Sequence, residues 1–182
     1  MRDLTNAELA ILGLIVEAPR HGYEIEQVIE ERGMREWTEI GFSSIYYLLN
    51  RLEDEGLIAP EKTAGGSPKA RKVYHPTATG TIALSDGTRR ALALPHAVYP
   101  SLLVGLANWP VLEADAARTA LLDRHAVVES TLKRIIGRRA EQQPLPAFVN
   151  ALFGYSIGQL EAELAWIEDT TSRLEGGNHE EG

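Results

Sequence analysis

Nine residues, SSIYYLLNR at positions 43–51, hold an unusual set of outward-capable polar groups on one short segment. Wound as a helix at 100° per residue, the segment separates two faces. Ile45, Leu48, Leu49 and Leu52 share a narrow apolar arc, while Ser43, Tyr47 and Asn50 lie opposite, with Tyr46 and Arg51 on the flanks. A hydroxyl, an amide, a guanidinium and two phenols on one arc can bond base edges and phosphates. Asn and Arg do so bidentately with adenine and guanine. A helix N-terminus adds free N–H groups for a phosphate. A purely solvated polar face would carry the same residue types, and this segment alone does not separate the two readings.

Just downstream lies a second candidate. Residues 62–80 contain Lys62, Lys69, Arg71 and Lys72 and no acidic residue, whereas the whole chain carries −8, leaving −12 on the remainder. Phosphate neutralisation dominates nucleic-acid affinity, so an acidic body with one basic projection fits contact with DNA at a small, defined place. Lys69, Arg71 and Lys72 follow the turn AGGSP, where a hairpin tip reaches over a backbone, and Tyr74 is placed to pack beneath. Glu53, Asp54 and Glu55 disfavour phosphate, so the C-terminal end of the preceding helix should point away from a duplex.

The elements that position these groups are legible in order. Thr5 with Glu8 has the spacing of a capping box, and Leu9, Leu12 and Val16 with Ile11 and Ile15 keep a helical period until Pro19. His21-Gly22 opens a second helix that Gly33 stops. Gly41–Gly56 gives the third, with Ser43 or Ser44 as N-cap and Gly56 as C-terminal cap. Leu57–Lys62 and Arg71–His75 read as paired strands about the Gly-Gly turn. Thr77 caps a fourth helix running towards Leu94, although Gly80 and Gly87 weaken it. Three helices followed by a two-stranded wing make a winged helix-turn-helix, and the fold class is mainly α.

Beyond residue 94 the chain changes character. Pro95, Pro100 and Pro110 space a linker with a short helix over residues 95–112. Leu92–Leu112 has no charged side chain, but these prolines leave no stretch long enough to span a bilayer. A helical domain over 113–175 is expected to make a homodimer, and 176–182 reads as a disordered polar tail. In its last helix, Phe153, Ile157, Leu160, Leu164, Ile167 and Leu174 form a heptad seam, completed by Thr171. A second strip of small residues (Ala151, Gly154, Gly158, Ala162, Ala165) is bordered by Tyr155 and Trp166. Two faces suit one partner within the domain and one outside it. Folding back on the preceding long helix alone would also use both. Trp109, Tyr155 and Trp166 are candidates for a pocket holding an aromatic or hydrophobic effector, with core packing as the plainer reading of each.

Other classes fit poorly. No cysteine is present, and the five histidines lack metal-ligand spacing, so neither a cofactor nor a metal is expected. Gly-rich phosphate loops, GxSxG and HExxH are absent, which argues against an enzyme. The N-terminus has no basic, apolar leader, and a cytoplasmic location is expected. A winged helix used only for protein–protein contact would not need the Tyr/Asn/Arg face or the basic wing.

The segments AELAILGLIVEAPRHGYEIEQVIEE, SSIYYLLNRLEDEGLI and RKVYHPTATG together resemble the PadR family of bacterial transcriptional regulators. That pattern has an "ILGLL" first helix followed by Pro-x-His-Gly-Tyr-Glu. Its recognition helix is rich in Ser, Tyr and Leu, and its returning strand is Arg-x-Val-Tyr. The resemblance covers residues 5–80. It implies a homodimeric, sequence-specific DNA-binding regulator on a pseudo-palindromic operator, more often a repressor than an activator. It puts Tyr23, Ser43, Ser44, Tyr46, Tyr47 and Arg51 at or near DNA, with Lys69, Arg71 and Lys72 in the wing. Pro19, Gly22, Leu52, Gly56 and Val73 then serve as scaffold. The total length resembles the longer branch of the family, with an AphA-like C-terminal helical domain.

Overall fold

The computed structural model describes residues 2–38, 40–41, 44–61, 72–95 and 97–177. The expected disordered tail, apart from its first two residues, and most of the wing therefore lie outside the described residues. The chain divides into two compact units, 1–97 and 98–182, so residues 98–112 of the proline-spaced segment fall with the second.

In the first unit, α1 (Asn6–Glu17) begins at the expected capping box: Thr5 Oγ1 accepts from Glu8 N, and Thr5 N donates to Glu8 Oε2 at 2.8 Å. A two-residue strand, β1 (Arg20–His21), leads into α2 (Gly22–Glu31). The helix stops at Gly33, whose φ of 61° is left-handed. A 3-10 turn at Met34–Glu36 then buries Met34 in the core. Next come α3 (Ser44–Asp54), β2 (Ile58–Pro60), β3 (Val73–Pro76) and α4 (Ala78–Ala93).

Two strands were expected and three are found among the described residues, in the order β1-β3-β2, both pairings antiparallel. Arg20 pairs with Tyr74 and His21 with Val73. A two-residue strand has too few positions to show alternation, so sequence pattern alone could not reveal it. The expected strands also shrink to three and four residues.

The core is built from the periodic positions already named. Ile11, Leu12 and Ile15 of α1, Ile25 and Ile29 of α2, and Ile45, Leu49 and Leu52 of α3 are buried together with Leu57, Ile58 and Tyr74. The end of α3 is closed by Gly56 at φ 70°, with Leu57 N donating to Leu52 O, a Schellman-type arrangement. The start of α4 docks on the same turn: Thr77 Oγ1 donates to Gly56 O at 2.8 Å, and a Cβ on Gly80 would stand 1.9 Å from Leu57 O. At Gly87 a Cβ would lie 2.6 Å from Leu9 Cδ1. The glycines that weaken α4 as an isolated helix are what let it lie against the turn after α3 and against α1.

In the second unit, α5 (Ser101–Ala107) and a 3-10 turn at Trp109–Val111 precede α6 (Ala114–Glu141) and α7 (Ala147–Gly177). The two long helices pack as a hairpin. Ala117, Leu121 and Val128 of α6 and Phe153, Ile167 and Thr171 of α7 are buried, while Ile157, Leu160, Leu164 and Leu174 are half-buried. Arg124–Glu163 at 2.5 Å and His125–Glu168 at 3.2 Å cross the hairpin. Phe153, Ile167 and Thr171 of the seam expected for dimerisation are thus taken up within the chain, where α6 carries a matching apolar stripe, while Ile157, Leu160, Leu164 and Leu174 keep part of their surface. No described helix is long and apolar enough to cross a membrane.

One polar group is sealed into the core. Glu8 is fully buried, yet Arg2 approaches it bidentately, Nη2 to Oε1 at 2.6 Å and Nη1 to Oε2 at 2.8 Å. Burial alone would raise the carboxyl pKa. The Arg2 hydrogen bonds, the Thr5 backbone and side-chain hydrogen bonds and the Arg2 charge outweigh it and push the pKa down to about 2. A carboxylate depressed on folding stabilises the fold above its unfolded pKa and loses that contribution as pH falls through the folded value. Glu8 should thus contribute on the order of 3 kcal/mol at neutral pH, lost between about pH 4.5 and about pH 2. Acid unfolding followed by circular dichroism checks this: Glu8→Gln is expected to be less stable at pH 7 and to show a flatter pH dependence over that interval. Parallel curves for the two proteins would contradict it.

Candidate nucleic-acid interface

Helix α3 presents its faces as the periodicity requires. Ile45, Leu48, Leu49 and Leu52 are buried, and Tyr46 and Tyr47 are 57% and 63% exposed. Asn50 is exposed beside them. Two adjacent tyrosines turned to solvent are costly on an inert surface, since each keeps a large apolar ring in water. The Tyr46 ring is braced on α2, where a Cβ on Gly22 would meet its Cε1 at 2.8 Å. Only glycine at position 22 lets the phenol lie across the start of α2. Tyr23, on that first turn of α2, is also exposed and stacks on His21 with centroids 5.5 Å apart.

The flanks of α3 carry ion pairs that engage two of the expected DNA-contacting cations, Arg51 and Lys72, within the chain itself. Arg51 Nε lies 3.2 Å from Glu8 Oε1 and 3.5 Å from Glu55 Oε1, and Arg2 Nη2 reaches Glu55 at 2.6 Å. The guanidinium expected at a base edge or a phosphate is thus turned, in the chain alone, towards a buried carboxylate. On the other flank, Lys72 Nζ is 3.0 Å from Glu53 Oε2, and its pKa is raised by that hydrogen bond against a small opposing effect of burial. His21 Nδ1 contacts the Lys72 carbonyl at 3.0 Å, tying the base of the wing to the start of α2. Lys72 is a strut between wing and helix as the protein stands alone.

The remaining candidates divide as follows. Ser44 is spent locally, its Oγ donating to Gly41 O at 2.7 Å. Ser43, Lys69 and Arg71 lie outside the described residues. Tyr23, Tyr46, Tyr47 and Asn50 are brought together on the outer side of α3 and the start of α2. Sequence reasoning missed Arg2 and the central role of Glu8. The signal was present: Glu8 falls in the same helical arc as Ile11, Leu12 and Ile15, and a carboxylate on a buried face demands a cation. Nothing in the sequence says which cation answers.

In the second unit, Trp109 and Trp166 are half-buried and Tyr155 is 73% exposed. Tyr155 shares its side of α7 with Ala151, Gly154, Gly158, Ala162 and Ala165, all exposed, opposite the seam that faces α6.

Comparison with known proteins agrees with this geometry. The transcriptional regulator PadR-like family matches residues 11–86. The negative transcriptional regulator PadR of Bacillus subtilis (strain 168) is 34% identical over 95 residues, a match spanning 52% of this chain and 52% of that protein. The sequence match thus covers about half the length of this curated relative. Among solved structures, Bacillus subtilis PadR in complex with operator DNA superposes with a TM-score of 0.75 at 24% identity, over 92% of this chain and 98% of that one. The same protein in complex with p-coumaric acid gives 0.76 at 22% identity, with the same shares covered. The PadR-like regulator BC1756 from Bacillus cereus gives 0.69 at 17% identity, over 94% and 99%. At these identities the structural likenesses establish the fold, in both units. The winged-helix core, the capped α3 and the matched segment agree: over residues 11–86 this chain is similar to the PadR-like family of transcriptional regulators.

Proposed function

We propose that this chain is a sequence-specific, double-stranded DNA-binding repressor that acts as a homodimer on a pseudo-palindromic operator and responds to a small aromatic or hydrophobic effector. The observation that carries the reading is the outer face of α3. Tyr46, Tyr47 and Asn50 stand exposed on a helix whose opposite face is wholly buried. A winged helix places such a face in the major groove, where first-turn side chains reach base edges. The operator complex of Bacillus subtilis PadR supports the class of ligand. The basic residues Lys69 and Arg71 of the wing would supply phosphate contacts. Lys72 joins them only by leaving Glu53. Catalysis has no part in this reading.

The dimer is assigned to the strip of small residues on α7. With Phe153 and Ile167 of the heptad seam already buried, the exposed apolar surface of this unit includes that strip with Phe148 and Tyr155, and Val127 and Ile136 of α6. Small residues let a second helix approach closely, and a symmetric patch is self-complementary about a two-fold axis. Two copies then read two half-sites at a fixed spacing. The p-coumaric acid complex of Bacillus subtilis PadR supports an aromatic effector, and Trp109, Tyr155 and Trp166 are the residues we assign to contact it. An effector that favours one separation of the two DNA-reading units would shift operator affinity.

Two outcomes follow. Replacing Tyr47 and Asn50 together by Ala should weaken binding to a duplex enriched by the wild-type protein from a randomised library. The expected cost is about 1–3 kcal/mol per lost base contact, with much less effect on a scrambled duplex. Fluorescence anisotropy at fixed salt measures it, and equal affinity of mutant and wild type for the enriched duplex would exclude α3 as the reading helix. For the dimer, Gly158→Glu puts a carboxylate in the small-residue strip and should give folded monomers in sedimentation. Leu164→Asp, on the seam facing α6, should instead lower helicity. A full-strength dimer from Gly158→Glu would place the interface elsewhere.

A further inference from the structure

Helix α3 is gripped on both sides of its outer face. Around its axis the buried arc of Ile45, Leu49 and Leu52 lies opposite Tyr47 and Asn50. Glu53, hydrogen-bonded to Lys72, occupies one flank, while Arg51, ion-paired with Glu8 at 3.2 Å, occupies the other. The two clamps differ in stiffness. Glu53 and Lys72 are partly exposed, with side-chain exposures of 26% and 53%, so water and salt compete with them. Glu8 is fully buried, anchored in the first turn of α1, and fixed by Thr5 N and by two nitrogens of Arg2. Its Oε1 is therefore a rigid point against which Arg51 Nε rests. Apolar packing alone permits small rotations of a helix, because dispersion contacts are non-directional. An ion pair between Arg51 and a carboxylate held in place by Arg2 and Thr5 adds a restraint at one point of the helix surface.

We propose that Glu8 is a specificity-determining positioning residue. Through Arg51 it sets the rotation of α3, and so determines which base edges Tyr46, Tyr47 and Asn50 meet, without touching DNA itself. Arg2 holds Glu8 ionised and bridges to Glu55, so it belongs to the same device. This rests on the reading of α3 as a DNA-reading helix. It gives Arg51 a role opposite to a direct contact: its charge is consumed inside the protein, and its loss should not remove a phosphate contact.

The test uses the full-length chain and the duplex that the wild type enriches from a randomised library, together with all single-base variants of that duplex. Arg51→Gln leaves Glu8 paired with Arg2 and Thr5, so the fold should persist by circular dichroism. We expect this variant to lose about tenfold of its preference for the enriched over a scrambled duplex. The loss should spread over several base positions, and the slope of log affinity against log salt should stay unchanged. Glu8→Gln should lose the same preference, and the double variant no more than the worse single one, since both break one clamp. Arg51→Lys, which keeps a cation within reach of Glu8, should recover part of it. A salt slope reduced by about one counterion in Arg51→Gln would mean that Arg51 contacts phosphate. Relaxation at a single base position would mean that it reads a base. Either overturns the inference, as does an unchanged preference. Should Glu8→Gln fail to fold, Arg51→Gln decides alone. A wild-type chain that enriches no duplex brings down the DNA reading itself, and this inference with it.

Discussion

A single carboxylate, that of Glu8, is where the parts of the first unit meet. It completes the capping box that starts α1, it accepts two hydrogen bonds from Arg2, and it receives Arg51 from the middle of α3. Burying an ionised group is expensive unless its oxygens are filled by hydrogen-bonding partners, and removing one partner of such a set costs far more than the set contributes. Here the oxygens accept hydrogen bonds from Arg2 and Thr5, and Arg51 adds an ion pair from α3. The placement of α3 against α1 is therefore restrained by this ion pair as well as by packing. Apolar burial supplies the stability of the unit. The ion network supplies the orientation of the helix that carries the outward tyrosines.

The same division explains what could be read in the sequence. Apolar periodicity located α1, α2 and α3 closely, because a one-sided core enforces it. Capping signals at Thr5, Thr77 and Gly56 were local and were realised as expected. Polar partnerships were not legible, since they join residues far apart in sequence. Arg51 and Lys72 look equally available to DNA in the sequence, and both turn out to face acidic residues. Gly80 and Gly87 look like helix breakers, and they mark where backbones and side chains approach too closely for a methyl group. The strand β1 was invisible because its two residues gain their regularity from β3.

In the second unit, the two faces of α7 were visible in the sequence, but their assignment depended on the partner helix. The stripe of Ala117, Leu121 and Val128 on α6 takes up the larger apolar seam. What remains exposed is a face of small residues edged by aromatic rings. A hairpin that satisfies its own core while leaving a second apolar face open is suited to association, because assembly then costs little rearrangement of the subunit. In the proposed dimer a modest reading surface is repeated twice, which would multiply its selectivity.

The central claim is that duplex DNA meets this chain on the outer side of α3 and the start of α2. A titration of isotopically labelled protein with the enriched duplex, followed by amide and side-chain NMR shifts, addresses it most directly. The account predicts the largest changes at Tyr23, Tyr46, Tyr47 and Asn50, with the buried Ile45 and Leu49 and the α6–α7 seam little affected. Shifts concentrated on α7, with the resonances of Tyr47 and Asn50 unmoved at saturating duplex, would contradict it.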